Sequence, residues 1–171
     1  MKRKVWFVVF SLAVGVCPAR GESGFGRAVS DNGLEALGLA VLATGLTQEG
    51  REHRLLRKAA VSSGATLLAT ELLKSSLHER RPNGRNNRSF PSGHASMAFS
   101  LSTVMAHEDK RHKWFWHGAA AAIAWSRVDV RAHHTHDVLA GAGLGFALGD
   151  ATIRLSVRRN GFGLTLFQKS W

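Results

Sequence analysis

Three short stretches of the 171-residue chain carry side chains that could bind and cleave a phosphate ester. In the first stretch, Lys74 and Arg81 lie seven positions apart, which is two helical turns, and Pro82 then ends the helix. Both cations can therefore project from one side of the helix end and converge on an anion. Taken alone, this pair is more typical of a solvated helix terminus, where basic side chains complement the helix dipole.

The second stretch is Pro91-Ser92-Gly93-His94, which has the features of a helix N-terminus. Backbone amides at such a terminus, together with the Ser92 hydroxyl, can hold phosphate oxygens while the His94 imidazole moves a proton. A Ser-Gly turn followed by an incidental histidine would explain the same residues, and nothing nearby in the sequence decides between the two interpretations.

The third stretch contains Arg127, His133 and Asp137, and the last two stand one helical turn apart. A carboxylate bonded to one ring nitrogen fixes the imidazole tautomer and leaves the other nitrogen free to attack phosphorus. His134 and His136 enlarge this cluster, so a zinc site made by His133, His134, His136 and Asp137 is an alternative. Acidic residues are scarce near all three stretches, which argues against a Mg²⁺ or two-metal site. We therefore expect no metal and no cofactor.

Together these stretches resemble the three-part signature of the type 2 phosphatidic acid phosphatase and vanadium haloperoxidase superfamily. The matching positions are Lys74, Arg81-Pro82, Pro91-Ser92-Gly93-His94, Ser126-Arg127, His133 and Asp137. The resemblance implies an all-α core and a phosphate bound by Lys74, Arg81, Ser92, Gly93 and Arg127. It also implies three catalytic residues, namely the nucleophile His133, the proton donor His94 and the orienting carboxylate Asp137.

The elements that must position these residues are predominantly helical. Apolar periodicity predicts helices over residues 34–46, 51–77, 94–105, 114–125 and 137–154. We therefore expect an all-α bundle of about five to six helices with the phosphate site at one end. Alternating apolar residues near the C-terminus give the tail an imperfect strand-like pattern over 161–171.

The length of the chain is that of a single domain, which we divide into four segments. These are a signal peptide over 1–21, a mobile leader over 22–33, a phosphatase domain over 34–155 and a tail of unassigned role over 156–171. The signal peptide is predicted because a basic start precedes the apolar run Val5–Val16 and the small residues of Ala19-Arg20-Gly21. It places the protein in the periplasm or at a periplasm-facing membrane, and a retained anchor is the alternative.

The composition is basic, with 23 Lys and Arg against 12 Asp and Glu. This balance favours a phosphorylated lipid or small phosphate ester as substrate and an anionic membrane surface as a partner. Nucleic acid would also suit a basic chain, but the export signal and the lack of an aromatic and basic stacking stripe argue against it. Helix faces rich in Gly and Ala are compatible with a body embedded in lipid as well as one at its surface.

These observations predict a metal-independent phosphatase that hydrolyses a phosphomonoester or pyrophosphate on a lipid through a phosphohistidine intermediate. Two alternatives stay open at this point: a soluble periplasmic acid phosphatase of broad specificity, and a vanadate-dependent haloperoxidase. The second follows from the resemblance, since the same superfamily pocket can hold vanadate with His133 as its ligand. The sequence leaves the oligomeric state undetermined.

Overall fold

The computed structural model describes residues 23–47 and 52–167, with side chains described over 23–47 and 54–156. This part of the chain forms five α-helices and a short 3₁₀ turn at Lys110–His112. The helices are α1 (Gly24–Thr47), α2 (Glu52–Ser76), α3 (Gly93–Glu108), α4 (Lys113–Asp129) and α5 (Thr135–Phe167). The prediction of an all-α bundle with about five to six helices is confirmed. The expected signal peptide over 1–21 lies outside the described residues.

Helix α3 forms the centre of the bundle, because each of the other four helices packs against it. Its buried apolar residues include Ala98, Val104 and Met105, and these join a core that contains Leu55 of α2 and Trp116 of α4. Burial of large side chains such as these is the main source of stability for a chain without disulfides in the described part. The central position of α3 also places its N-terminus where the ends of the surrounding helices meet.

Helices α3 and α5 approach each other along a seam of three glycines spaced four residues apart. A methyl group added at Gly141 or Gly145 would collide with the backbone carbonyl of Ser92 or Ser96, respectively. A methyl at Gly149 would lie 2.9 Å from the Cβ atom of Thr103. Small residues at this spacing let two helix backbones come closer than larger side chains allow.

Helix α2 carries polar residues on its buried face and large apolar residues on its exposed face. The buried polar residues follow a four-residue spacing and are Lys58, Ser62, Thr66, Thr70 and Lys74, and the apolar Leu55 and Ala59 are buried in the first half of the helix. The exposed large apolar residues are Val61, Leu67, Leu68, Leu72 and Leu73, and Leu77 is exposed directly after the helix. The hydroxyls on the buried face are satisfied in part by Ser100 of α3, which lies 2.6 Å from the Ser62 Oγ atom and accepts from Thr66 at 3.0 Å.

Two expectations about the ends of the chain are corrected. Residues 24–33 do not form a mobile leader, because α1 begins at Gly24 and this part of it packs against α4. Gly26 allows close approach to Asp129, and the side chain of Ser30 is buried. The strand-like pattern near the C-terminus is also overridden, since α5 continues through Phe167. Residues 168–171 lie outside the described part.

Candidate active site

The structure brings all eight sequence-predicted site residues to the same end of the bundle. They come from the C-terminal ends of α2 and α4, the N-termini of α3 and α5, and the two loops that join these helices. The loops are tied to the helices by main-chain hydrogen bonds, of which one runs from the Ser92 amide to the Asp137 carbonyl at 3.0 Å. The site is therefore assembled by segments that are distant in sequence.

Lys74 lies in the last turn of α2 with its ammonium group turned inward. The group donates to the carbonyl of Arg88 at 3.1 Å, and a Cβ atom at Gly93 would lie 3.9 Å from the Lys74 Cε atom. Burial, followed by the charge of Arg81, lowers the pKa of Lys74. The lysine is thus held against the start of α3 with donors free for an anion.

Arg81 extends from the loop after α2 and spans both loops of the site. Its Nε atom donates to the Asn86 side chain at 3.0 Å, and its Nη1 atom donates to the Ala132 carbonyl at 3.4 Å. These contacts fix the guanidinium beside the loop that carries His133. Burial is the main cause that lowers the pKa of Arg81, followed by the charge of Arg85.

The N-terminus of α3 presents Ser92, Gly93 and His94. Ser92 is the N-cap, and its buried Oγ atom accepts from the Ala95 amide at 3.5 Å. Free amides at this terminus suit an anion. The pKa of His94 is lowered to about 4 by burial and then by the charges of Arg127, Arg81 and Lys74. The imidazole is therefore neutral near pH 7 while the three cations carry no anion.

Arg127 lies in the last turn of α4 and is oriented by a residue of α1 that the sequence analysis missed. Its Nη1 atom donates to the Ser30 carbonyl at 3.2 Å and to the Ser30 hydroxyl. Burial, and then Arg81, lowers the pKa of Arg127. Ser30 was missed because residues 22–33 were interpreted as a leader. The spacing Gly26, Ser30, Gly33, Leu37 would have indicated that the helical pattern of α1 begins earlier.

His133 is buried in the loop between α4 and α5. Its backbone amide and that of Ala132 both donate to the Arg127 carbonyl, at 3.1 and 3.0 Å, and Arg131 adopts a φ of 51° that turns the chain. The pKa of His133 is lowered to about 3 by burial and then by Arg81, Lys74 and Arg127. A neutral imidazole has the lone pair that a nucleophile requires.

Asp137 is fully buried in the first turn of α5. Its Oδ2 atom accepts from the Ser89 hydroxyl and from the His134 amide, the latter at 2.8 Å. The same oxygen lies 3.6 Å from the Nδ1 atom of His133, which is longer than a hydrogen bond. Catalytic hydrogen bonds are often long before substrate binds. Ser89 was also missed by the sequence analysis, although it directly precedes the second stretch.

Three donor groups outside the predicted phosphate-binding residues could hold a metal ion, namely Glu79, His136 and Asp137. They share His136 and Asp137 with the zinc site considered as an alternative from the sequence, and Glu79 takes the place of His133 and His134. The His134 ring instead faces the carbonyl of Arg80 at 3.1 Å, and His133 faces the cations.

Comparison with known proteins is consistent with this arrangement. The family model of the PAP2 superfamily matches residues 74–160, which is just over half of the chain and includes all eight site residues. Among solved structures, the chain is similar to LpxE of Aquifex aeolicus with a TM-score of 0.66 and 23% identity, over 76% of this chain and 84% of that one. Comparison with curated protein sequences gives no significant match.

Proposed function

The chain belongs to the PAP2 superfamily of phosphatases, and we propose that it hydrolyses a phosphomonoester or pyrophosphate on a lipid through a phosphohistidine at His133. The observation that carries this proposal is that Lys74, Arg81 and Arg127 lie at the same end of the bundle as the buried His133 imidazole. Burial, and then the charges of these three residues, lower the pKa of that imidazole. A phosphate group is the ligand that three fixed cations and a helix N-terminus would bind best.

In the proposed binding step, the phosphate oxygens contact the three cations and the amide groups at the start of α3. Arg127 approaches from the α1 side, where Ser30 holds it, and Arg81 approaches from the side of the His133 loop. Positive groups on several sides can follow the charge on the equatorial oxygens as the transition state forms.

In the proposed chemical step, the Nε2 lone pair of His133 forms a bond to phosphorus while the bond to the leaving oxygen breaks. Asp137 faces the Nδ1 atom of the same ring and would stabilise the positive charge that develops there. His94 gives its proton to the leaving oxygen. Water then attacks the phosphohistidine, His94 takes a proton from that water, and phosphate leaves.

Because the pKa of His94 is lowered, binding of the substrate can itself promote the protonation of this general acid. Burial is the largest cause of the low pKa, and the cations that lower it further are the groups that would bind the phosphate. A phosphate dianion would offset their charge and raise the pKa of His94 toward its ordinary value, so the ring gains its proton as substrate binds. The site therefore does not need a metal ion to supply either the acid or the charge.

The outer surface of the bundle supports a lipid substrate at a membrane. Exposed large apolar residues occur on α1, α2, α4 and α5, and the set on α2 lies opposite its polar buried face. Within α5, Thr135–Ser156 is long and apolar enough to cross a membrane, and 28% of it is buried inside the bundle. Apolar exteriors combined with polar helix contacts are typical of proteins surrounded by lipid. A soluble acid phosphatase would leave this surface in water.

We also propose that the protein is exported, with the active site facing the periplasm and residues 1–21 acting as the signal. N-terminal sequencing of the purified protein distinguishes the two fates of this segment. A new N-terminus near Glu22 means cleavage, and an intact Met1 means that the segment is retained as an anchor.

The test of the proposed function compares the full chain in detergent with a His133→Ala variant in the presence of a chelator. Substrates are phosphatidic acid, a polyprenyl pyrophosphate, a lipid A phosphate and p-nitrophenyl phosphate. We expect the wild type to release phosphate and the variant to lose at least about 10³-fold in kcat. Equal activity in both proteins contradicts the role of His133, and preference for p-nitrophenyl phosphate contradicts the lipid substrate.

A further inference from the structure

A group of three metal-binding side chains lies on the outer side of the proposed active site. Candidate ligand atoms of Glu79, His136 and Asp137 all lie within 4.8 Å of one another. The Nε2 atom of His136 is 2.6 Å from Glu79 Oε1 and 3.3 Å from Asp137 Oδ1. The imidazole nitrogen thus lies between two carboxylates, one partly exposed and one fully buried.

The Oδ1 atom of Asp137 is an independent reason to expect a ligand here. It is buried and has no hydrogen-bond partner, whereas the Oδ2 atom accepts from Ser89 and the His134 amide. The single N–H that a neutral His136 can place on Nε2 is directed at Glu79, the nearer carboxylate. A buried carboxyl oxygen without a donor is costly, and a cation between the three groups would satisfy it.

The ring of His136 is also held in place before any ligand arrives. It stacks on the His134 ring with centroids 5.3 Å apart and on the Phe90 ring with centroids 6.4 Å apart. His134 is itself fixed by the Arg80 carbonyl. Such support lowers the entropy lost when a side chain becomes a metal ligand.

We propose that Glu79, His136 and Asp137 form a binding site for a divalent transition metal ion such as Zn²⁺, and that the bound ion inhibits the enzyme. One imidazole and two carboxylates are a donor set that zinc accepts, and water can complete the coordination because the His136 side chain is 60% exposed. The inhibitory part of this proposal rests on the proposed function.

Inhibition follows from the shared carboxylate. Asp137 faces the Nδ1 atom of His133 with one oxygen and would bind the metal ion with the other. The ion draws electron density from the carboxylate and places positive charge near His133, where attack on phosphorus creates positive charge as well. The metal therefore opposes the chemical step and leaves the phosphate-binding cations in place, so kcat falls more than KM rises.

The experiment titrates the full chain in detergent with zinc chloride by calorimetry and, separately, follows p-nitrophenol release with and without zinc. We expect one zinc ion to bind per chain, kcat to fall as the site fills, and a chelator to restore the rate. His136→Gln and Glu79→Gln should each weaken zinc binding at least about tenfold and lose inhibition in parallel. Each variant is compared with its own zinc-free rate.

The matched control is His112→Gln, which removes an exposed histidine paired with Asp109 at 2.9 Å at the opposite end of the bundle. It should bind zinc and be inhibited as the wild type is. Absence of zinc binding in the wild type, or unchanged binding in His136→Gln, would overturn the site. Binding without inhibition would overturn the regulatory role. A protein with no phosphatase activity but with His136-dependent zinc binding would contradict the proposed function and leave the metal site standing.

Discussion

Two buried lysines on the same face of α2 differ in the partners that the fold gives them. Lys58 and Lys74 are similarly buried, at 6% and 7% exposure, and they lie at opposite ends of the helix. The Lys58 ammonium forms an ion pair with Glu108 at 2.6 Å. The Lys74 ammonium has the Arg88 carbonyl at 3.1 Å, and no described carboxylate lies within ion-pair distance of it.

Lys58 is therefore neutralised by a partner within the chain, whereas Lys74 is available to an anionic ligand. Burying a charge is costly unless it is paired, and at Lys58 the chain supplies its own anion. At Lys74 burial lowers the pKa of the lysine, and the nearby cations Arg81 and Arg88 lower it further against the opposing charge of Glu71. This end of the bundle therefore retains an unfavourable electrostatic energy that an anionic substrate would relieve.

The largest expected effect comes from replacing the lysine without a carboxylate. Lys74→Met should lower kcat/KM by about 10³-fold, because it removes one of the three cations proposed to surround the transition state. Its melting temperature should equal or exceed that of the wild type, since like-charge repulsion is reduced. Circular dichroism and phosphate release from the same preparation check both statements. A variant that melts well below the wild type would show that Lys74 is structural.

Lys58→Met should give the opposite result. It leaves the Glu108 carboxylate, whose side chain is 12% exposed, without a partner and should cost about 3 kcal/mol of unfolding free energy, while the folded fraction keeps wild-type kcat. The double variant Lys58→Met/Glu108→Gln removes both charges and should recover most of the loss. Denaturant titration of the three proteins measures these differences. Full stability of the single variant would mean that the ion pair contributes nothing.

A smaller effect is expected from the Ser89 hydroxyl, which donates to the carboxylate of Asp137, the proposed orienting residue. Ser89→Ala removes the donor to Asp137 Oδ2 and should lower kcat by about tenfold with little change in KM, since a hydrogen bond to a charged group contributes about 1.5 kcal/mol. Ser75→Ala is the control, because Ser75 is exposed and bonds only the Leu72 carbonyl of its own helix. An equal loss in both variants would contradict a positioning role for Ser89.

The smallest expected signal is a proton taken up when an anion binds. The pKa of His94 lies at about 4 in the free protein against an ordinary value of 6.5, and an anion on the three cations should raise it. Burial continues to lower the pKa in the bound state, so between these pH values the bound ring is protonated to a greater extent than the free ring, and phosphate affinity should increase as the pH falls through this window. Calorimetry in buffers of different ionisation enthalpy measures the uptake.

His94→Gln provides the reference for that measurement, because it keeps the protonation of phosphate itself and removes only the imidazole. We expect the difference in proton uptake between the wild type and the variant to be a fraction of one proton and positive. An identical uptake in both proteins would show that the cations do not couple to His94.

The sequence predicted the fold class and identified the eight candidate site residues that lie together at one end of the bundle. Their types and spacing are dictated by the proposed chemistry, which is why they could be found in the chain, and their roles remain proposals. Ser30 and Ser89 could not be found this way. Their positions depend on tertiary contacts between segments 97 and 48 residues apart, and a serine carries no periodic signal of its own.

The apolar exterior escaped the sequence analysis for a related reason. The mean hydropathy of the whole chain is -0.08, because polar and apolar residues are averaged together. This average contains no information on which residues face the core, so the polar buried face of α2 and its exposed leucines cannot be told apart. Periodicity identified α2 as a helix, but it gave no indication of which face points inward. Only the packing of α2 against the serine-rich α3 shows that the polar face is the buried one.

The glycine seam between α3 and α5 has a consequence for how this protein can vary. Gly141 lies one turn beyond Asp137, and a Cβ atom at this position would lie 2.5 Å from the carbonyl oxygen of Ser92. Glycine in the seam therefore allows the two halves of the proposed active site to lie close together. Alanine favours a helix more than glycine does, yet at these positions it would separate the helices. A variant with a larger residue in the seam should therefore still fold but lose activity. We expect selection for catalysis to remove such variants.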